Sequence, residues 1–245
     1  MKKYLPVILL LFTGISCAQT AHFSPGNYHG LPYQILVPDN AGQQKLPLVI
    51  FLHGAGERGN DNHKQLTYID TIFQSRWFQE KYPSIILVPQ CPEDKRWVEV
   101  DWSLPSFKQP EKISVPLGLT LELTDSLIKA LPIDTNRIYI MGLSMGGFGT
   151  WDALARRPDF FAAAVPICGG ADTNTACKIS HIPVWAFHGA KDNVVPVVLD
   201  RNMYKALKHC GGNPRYTEYP NVKHGAWFKA LANRHVYKWL FEQSK

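Results

Sequence analysis

The most reactive arrangement in the 245-residue sequence is a serine held between two glycines, at residues 142–146 (Gly-Leu-Ser-Met-Gly). An apolar stretch typical of a buried strand precedes it at 137–141, and a stretch typical of a helix follows at 150–156. A sharp turn between strand and helix lifts a serine Oγ clear of both elements, and the glycines let the two backbones pass closely. The pattern predicts Ser144 as the nucleophile of an acyl-transfer reaction, provided that other residues fill the remaining roles.

A serine hydroxyl becomes a good nucleophile when a neighbouring base takes its proton. Ligands of parallel sheets bind beyond the carboxyl ends of the strands, so we expect the base and its acid directly after strands. Asp192 follows the predicted strand 182–187, and His224 follows the predicted strand 215–219. A histidine can act as the base near neutral pH, and an aspartate can fix its tautomer. The sequence thus predicts Ser144, Asp192 and His224 as a catalytic triad.

Two other residues occupy comparable positions after strands and remain alternatives. Asp172 is the rival acid, and His188 is the rival base. His188 lies at a strand end next to a glycine, a position that suits packing better than proton transfer.

The negative charge of an acyl-transfer transition state needs backbone N–H donors, each worth on the order of 3 kcal/mol. The first donor is the residue after the nucleophile, Met145, and the second is expected in the loop after the apolar strand 47–52. We predict Ala55 as the second donor, with Gly56 as the neighbour with which it can be confused.

A long loop and large aromatic side chains are the predicted parts of a substrate pocket. Residues 91–116 are rich in proline, and a loop of that length is usually functional, so we expect a pocket wall or a small lid. Trp102, Trp227 and Glu57 are the predicted substrate contacts. The competing interpretations are core filling for the tryptophans and a solvated loop for Glu57.

The residues 54–59 match G-x-G-x-x-G after a strand, a pattern found in dinucleotide-binding sites. Such a site needs a packed helix next and an acidic residue at the end of a second strand. Residues 60–63 are too polar for that helix, and Pro89 and Gln90 follow the second strand. The sequence also lacks G-x-x-x-x-G-K-[ST] and C-x-x-C. We therefore predict no bound cofactor and no metal.

Residues 1–18 have the pattern of a secretory signal peptide, with Lys2 and Lys3 ahead of a short apolar run and small residues. Cleavage after Ala18 fits this pattern. An alternative is a bacterial lipoprotein signal, in which Cys17 carries the lipid. We expect export to the periplasm, the outside or the cell envelope, with no transmembrane span.

Removal of that leader lowers the formal net charge from +6 to +4, because it holds two lysines and no acid. The remaining basic residues are spread out, which argues against a nucleic-acid partner. Four cysteines remain, Cys91, Cys168, Cys177 and Cys210, and an oxidising compartment leaves three pairings open. Closeness in sequence favours Cys168 with Cys177.

Apolar strands alternate with helical stretches along the chain, which predicts a doubly wound, mostly parallel α/β sheet with helices on both faces. We expect one domain at 19–245 without a large cap, after an irregular lead-in at 21–31. The predicted strands are 33–37, 47–52, 84–88, 137–141, 161–167, 182–187 and 215–219. The predicted helices are 68–81, 117–131, 150–156, 199–208 and 230–241.

The stretches 52–59, 89–92, 142–151, 166–170 and 187–192 together resemble the secreted α/β-hydrolases known as the "predicted peptidase" group. That group is related to polyhydroxybutyrate depolymerases, feruloyl esterases and dienelactone-hydrolase-like esterases. The resemblance implies carboxylic-ester hydrolysis, often of acyl groups on plant polysaccharides, with Ser144, Asp192 and His224 as the triad. Dienelactone hydrolases proper use a cysteine nucleophile, so their chemistry is not implied here.

Three hypotheses follow. The first is a secreted serine esterase that forms an acyl-enzyme and acts on a small-molecule or polysaccharide ester of acetyl or feruloyl type. The second is a serine peptidase or amidase, although the chain lacks the large extra domain of prolyl oligopeptidases. The third is a non-catalytic carbohydrate-binding relative, in which Trp97, Trp102 and Trp227 stack on sugar rings.

Overall fold

The computed structural model describes residues 21–39, 41–42 and 44–245. The predicted signal peptide and Cys17 lie outside the described residues. In the described part, the strands are β1 (Phe23–Tyr28), β2 (Leu31–Leu36), β3 (Leu46–Leu52), β4 (Ile85–Pro89), β5 (Ile133–Leu143), β6 (Ala163–Ile167), β7 (Trp185–Gly189) and β8 (Arg215–Tyr219). The helices are α1 (Asp70–Phe73), α2 (Arg76–Lys81), α3 (Val115–Ala130), α4 (Met145–Arg156), α5 (Ala176–Ile179), α6 (Val198–His209), α7 (Trp227–Ala232) and α8 (Arg234–Phe241).

These strands form one sheet in the order β1-β2-β4-β3-β5-β6-β7-β8. The strands from β4 to β8 along this order are parallel, while β1 and β2 are antiparallel to their neighbours. Every residue of β3 is buried because helices cover both faces of the sheet. The predicted fold class, a doubly wound α/β-hydrolase sheet, is confirmed.

Alternate residues of the central strands feed two separate cores. Leu48 and Ile50 of β3 point into the core that contains α3, α4 and α6. Val49 and Phe51 point into the opposite core, which contains α1, α2, α7 and α8. The period of two along a strand produces this division.

The lead-in 21–31 is not irregular, and that prediction was wrong. Residues 23–28 form β1, which pairs with β2 through a two-residue turn at His29 and Gly30. Both turn residues have positive φ, 49° and 88°, which suits the twist of a tight hairpin. Pro25 is tolerated because β1 is an edge strand.

Two predicted helices are each broken by a capping residue. The predicted helix 68–81 is divided into α1 and α2, where the Ser75 hydroxyl accepts a hydrogen bond from the Phe78 N–H at 3.2 Å. The predicted helix 230–241 is divided into α7 and α8, where the Asn233 side chain accepts from the His235 N–H at 3.1 Å. Both residues prefer the N-cap, so each restarts the chain in a new direction.

The favoured pairing of Cys168 with Cys177 is also wrong. A disulfide joins Cys177 on α5 to Cys210 at the end of α6, with 4.9 Å between the Cα atoms. Cys168 and Cys91 are free and buried. Cys168 directly follows β6, where its thiol donates to the carbonyl of His224 at 3.2 Å. The packing of α5 against α6, rather than closeness in sequence, decides the pairing.

Among the described residues, no helix combines the length and the apolar character that crossing a membrane requires.

Candidate active site

Ser144 occupies a strained turn between β5 and α4. Its φ of 53° is unusual for a residue with a side chain, and such backbone costs on the order of 1–3 kcal/mol. A Cβ at Gly146 would overlap the carbonyl of Leu52, and a Cβ at Gly142 would overlap the carbonyl of Gly146. Only glycine fits at these two positions, so the turn packs against β3 and presents the serine hydroxyl at the sheet edge.

The structure brings the three predicted triad residues together. The Oγ of Ser144 lies 2.8 Å from Nε2 of His224, and Nδ1 of His224 lies 2.7 Å from Oδ2 of Asp192. Asp192 follows β7 and His224 follows β8, as the strand-end argument requires. Since a carboxylate accepts hydrogen bonds, Nδ1 carries the proton and Nε2 is left to accept the serine proton.

Asp192 is held as an anion by the groups around it. Burial alone would raise the pKa of this carboxyl, but hydrogen bonds from His188, His224 and two backbone groups hold it well below its usual range. The backbone donors are the N–H groups of Val194 and Val195, at 2.9 and 3.0 Å from Oδ1. An ionised, fixed carboxylate is what an imidazolium formed at His224 would need for stabilisation.

His188 extends this arrangement inward, a feature that the sequence analysis missed when it assigned His188 to packing. Its Nε2 lies 3.2 Å from Oδ2 of Asp192, and its Nδ1 lies 2.7 Å from Oδ2 of Asp200. Asp200 also accepts from the indole N–H of Trp151 at 2.9 Å. His188 and Asp200 are fully buried. No local pattern in the sequence signals this contact, because it depends on how α6 packs against β7.

The two carboxylates set the charge of His188. Burial alone would lower the pKa of this histidine, but its hydrogen bonds to Asp192 and Asp200 raise the pKa to about 10. His188 is therefore a buried cation between two acids at neutral pH, not a rival base.

The rival acid Asp172 has a different role. It caps the 3-10 helix Thr173–Thr175 by accepting from the Asn174 N–H at 3.0 Å, and its other oxygen accepts from the Gln109 N–H at 3.0 Å. This second bond ties the long loop after β4 to the body of the protein.

The two predicted oxyanion donors, Met145 and Ala55, belong to different elements that both border Ser144. Met145 is the first residue of α4 and Ala55 is the first residue of the 3-10 helix Ala55–Glu57, and first-turn N–H groups have no acceptor within their own helix. A methyl group added at Gly54 would lie 3.6 Å from Cβ of Ser144, so the loop after β3 passes directly beside the serine. The predicted oxyanion donors therefore come from segments that meet at the nucleophile.

Ser144 and His224 open into a cleft of about 300 Å³. Of the predicted substrate contacts, Glu57, Trp102 and Trp227 all line this cleft. The ring of Trp227 packs edge-on against His224 with 5.1 Å between the centroids. The loop 91–116 thus supplies one wall of the cleft through Trp102, which is held under the guanidinium of Arg96 at 4.2 Å.

Trp97 does not line the cleft, and its predicted part in sugar stacking is wrong. This ring is fully buried, and its indole N–H donates to the carbonyl of His53 at 3.0 Å. Trp97 instead attaches the start of the loop 91–116 to the end of β3.

The residues 54–59 contain the three-residue 3-10 helix Ala55–Glu57 and do not open the α-helix that dinucleotide binding requires. Cys168, His188 and Asp192 bring potential metal-ligand atoms within 4.8 Å of one another. This set suits a metal poorly, because a protonated histidine has no free lone pair and burial raises the pKa of the Cys168 thiol far above its ordinary value.

The doubly wound sheet, the strained serine turn and the Ser-Asp-His order along the chain are together the features of the α/β-hydrolase class. Comparison with known families agrees. The sequence profile of the phospholipase/carboxylesterase family matches residues 35–240, and the chain belongs to this family.

Three relatives illustrate the resemblance. A bifunctional acetylxylan esterase/xylanase from Neocallimastix patriciarum is 25% identical over 197 residues, which cover 78% of this chain and 26% of that protein. An uncharacterized secreted protein from Arthroderma benhamiae is 26% identical over 218 residues, covering 76% of this chain and 22% of that protein. A solved structure described as a thermostable esterase is 37% identical, with a TM-score of 0.82, and the match covers 92% of this chain and 64% of that one. The chain thus spans about a quarter of the length of these two curated relatives.

Proposed function

We propose that the protein is a serine carboxylic-ester hydrolase that works through an acyl-enzyme on Ser144 and removes acetyl- or feruloyl-type groups from carbohydrate. The observation that carries the proposal is the continuous hydrogen-bonded line from Ser144 through His224 to Asp192, of which Ser144 and His224 line an open cleft. The acetylxylan esterase among the relatives supports the carbohydrate substrate.

In the acylation step, His224 Nε2 takes the proton of Ser144 while Oγ attacks the ester carbonyl carbon. The carbonyl oxygen becomes an anion and accepts hydrogen bonds from the N–H groups of Met145 and Ala55. The C–O bond of the ester then breaks, and His224 returns its proton to the departing alcohol. Asp192 stabilises the transient imidazolium and does not itself take the proton.

Deacylation repeats these events with water. His224 removes a proton from a water molecule, which attacks the acyl carbon through the same oxyanion geometry. The bond from the acyl carbon to Oγ breaks, and His224 protonates the serine as the carboxylic acid leaves. Hydrolysis of a peptide or another amide would follow the same path, so the preferred leaving group decides between esterase and amidase.

The test is a kinetic comparison of matched leaving groups. Purified protein is assayed with p-nitrophenyl acetate and with p-nitroacetanilide, then with acetylated xylan and methyl ferulate. The proposal expects ester turnover that disappears in Ser144→Ala and persists in the control Ser180→Ala, a serine far along the chain on the surface. Faster turnover of the anilide would make the protein an amidase, and glycan binding without any turnover would make it a binding protein.

We also propose that the chain is exported. The support is the signal-like pattern at residues 1–18, the secreted relative, and a disulfide between Cys177 and Cys210, which forms in oxidising compartments. Mass spectrometry of the mature N-terminus distinguishes cleavage after Ala18 from lipidation at Cys17. An intact Met1 in the cell extract would contradict export. We propose further that 19–245 acts as one domain.

A further inference from the structure

Two residues that line the cleft, Glu57 and Trp227, each hold a buried polar atom without a hydrogen-bond partner among the described residues. Oε2 of Glu57 and the indole Nε1 of Trp227 are buried and make no hydrogen bond within the described residues. Gln65 holds the third such atom, and Gln65 does not line the cleft. Because an unsatisfied buried polar atom costs about 1–3 kcal/mol, two of them in one cleft require an explanation.

The carboxyl of Glu57 lies next to the nucleophile. A Cβ built at Gly54 would lie 3.0 Å from Oε2 of Glu57, 3.6 Å from Cβ of Ser144 and 2.7 Å from Cδ1 of Leu143, so Glu57 and Ser144 both flank Gly54 in a closely packed part of the site. Glu57 is more than nine-tenths buried. Burial raises the pKa of this carboxyl. The backbone N–H groups of Gly54 and Glu57 have the opposite, smaller effect.

Trp227 borders the same region through Tyr68. The ring centroids of Tyr68 and Trp227 are 5.8 Å apart. Burial and, to a smaller extent, the charge of Glu57 raise the pKa of the Tyr68 hydroxyl. Glu57, Tyr68 and Trp227 all line the cleft.

The chemistry of these two groups is complementary to hydroxyl groups. A carboxyl oxygen accepts a hydrogen bond, an indole N–H can only donate one, and an alcohol does both. Exposed aromatic surface lies beside Trp227, since Phe228 is 63% exposed and its ring centroid lies 5.7 Å from that of Trp227. Apolar rings beside unsatisfied donors and acceptors suit the alternating C–H and O–H groups of a polyol, and a plain alkyl ester would leave both polar atoms unpaired.

We infer that Glu57 and Trp227 form a hydroxyl-binding subsite next to Ser144, which selects esters whose alcohol carries a free hydroxyl beside the ester. This inference rests on the proposed ester hydrolysis and narrows its substrates to monoacylated polyols. A site built to bind a hydroxyl discriminates strongly against the analogue that lacks it, because its own buried groups stay unpaired.

The test uses two substrates that differ by one hydroxyl, trans-2-hydroxycyclohexyl acetate and cyclohexyl acetate. The quantity measured is the ratio of their kcat/KM values. From one or two buried hydrogen bonds we expect a ratio of about 10 to 100 in favour of the hydroxy ester. A ratio near one in the unmodified protein overturns the inference.

Variants locate the preference. Glu57→Leu removes hydrogen bonding at similar volume, and we expect it to lower the ratio to close to one. Trp227→Phe removes the indole N–H donor, and we expect it to lower the ratio to a similar value. Glu57→Gln can still accept and donate, so it should restore most of the preference. Glu122→Leu makes the same change on the exposed face of α3 and should leave the ratio unchanged. A ratio in Glu57→Leu equal to that of the unmodified protein overturns the inference.

A fluorophosphonate probe separates this inference from the proposed function. Labelling of Ser144, together with equal turnover of both esters, leaves the esterase in place and removes the subsite. Absence of labelling in folded protein removes the esterase as well. If the cyclohexyl esters react too slowly, the ratio is read as inhibition of p-nitrophenyl acetate hydrolysis by trans-1,2-cyclohexanediol and by cyclohexanol. Equal inhibition by the two alcohols contradicts the subsite.

Discussion

The buried cation His188 makes the stability of this protein depend on pH in a way that one substitution can isolate. The folded protein binds the His188 proton with a pKa of about 10, whereas the unfolded chain binds it with a pKa near 6.5. The folded state therefore holds the proton more tightly, and the stabilisation is complete below the unfolded value. It is lost as the pH rises from about 6.5 through 10.

The magnitude follows from those two values. A separation of this size corresponds to about 5 kcal/mol at low pH, and between pH 7 and pH 9 the protein should lose roughly 2–3 kcal/mol of its free energy of unfolding. Because the His188 side chain is fully buried, solvent does not screen this contribution.

The assay is urea unfolding of the unmodified protein and of His188→Gln at pH 7 and at pH 9. Glutamine keeps polar contacts but has no proton to release. Groups such as the free thiols titrate in both proteins, so the difference between the two pH dependences reports His188 alone. We expect the unmodified protein to lose the calculated amount relative to the variant. Parallel pH dependences in the two proteins would refute the assignment of His188 as a cation between Asp192 and Asp200.

The remaining predictions concern the disulfide and the serine turn. Replacing Cys177 and Cys210 by serine opens a loop of 33 residues, so the free energy of unfolding should fall by about 3–4 kcal/mol. Reduction of the unmodified protein by dithiothreitol should lower it by a similar amount. An unchanged urea midpoint would count against the pairing. Gly146→Ala places a methyl group on the carbonyl of Leu52 in β3 and should lower the free energy of unfolding by at least about 3 kcal/mol or prevent folding. The control Gly42→Ala places its methyl group in open space and should lower it by under about 1 kcal/mol. Equal melting temperatures of the two variants would contradict this prediction. Ala55→Pro removes the N–H of one predicted oxyanion donor, and proline fits at this first position of the 3-10 helix. We expect kcat to fall by about 100- to 1000-fold while the circular dichroism spectrum stays unchanged. An unaffected kcat would assign the donor to another residue.

The central part of the fold follows from short-range rules that operate in the sequence itself. The strand β3 reads as continuously apolar because both of its faces are buried, and that pattern alone indicates a parallel sheet covered on both sides. The edge strand β1 was harder to predict. Proline and glycine at residues 25 and 26 are typical of loops, and β1 exists only because the turn at His29 and Gly30 folds it onto β2.

The residues of the candidate site likewise include some that the sequence predicts and some that it does not. Ser144, Asp192 and His224 were predictable because each follows a strand, and the topology of parallel strands brings all such positions to one edge. His188 and Asp200 were not, because their contact depends on how α6 packs against β7, which no local pattern encodes. The unpaired atoms of Glu57 and Trp227 likewise emerge only once the loop after β3 and the segment after β8 are placed side by side.

The claim that Ser144 is the activated nucleophile is tested most directly by active-site labelling. The folded protein is treated with a fluorophosphonate probe, digested, and mapped by tandem mass spectrometry, with Ser144→Ala and His224→Ala treated in parallel. The geometry predicts one adduct per chain, on Ser144, that is lost in the first variant and forms at least about 1000-fold more slowly in the second. A folded protein that takes up no probe, or that carries the adduct on another residue, would contradict the account.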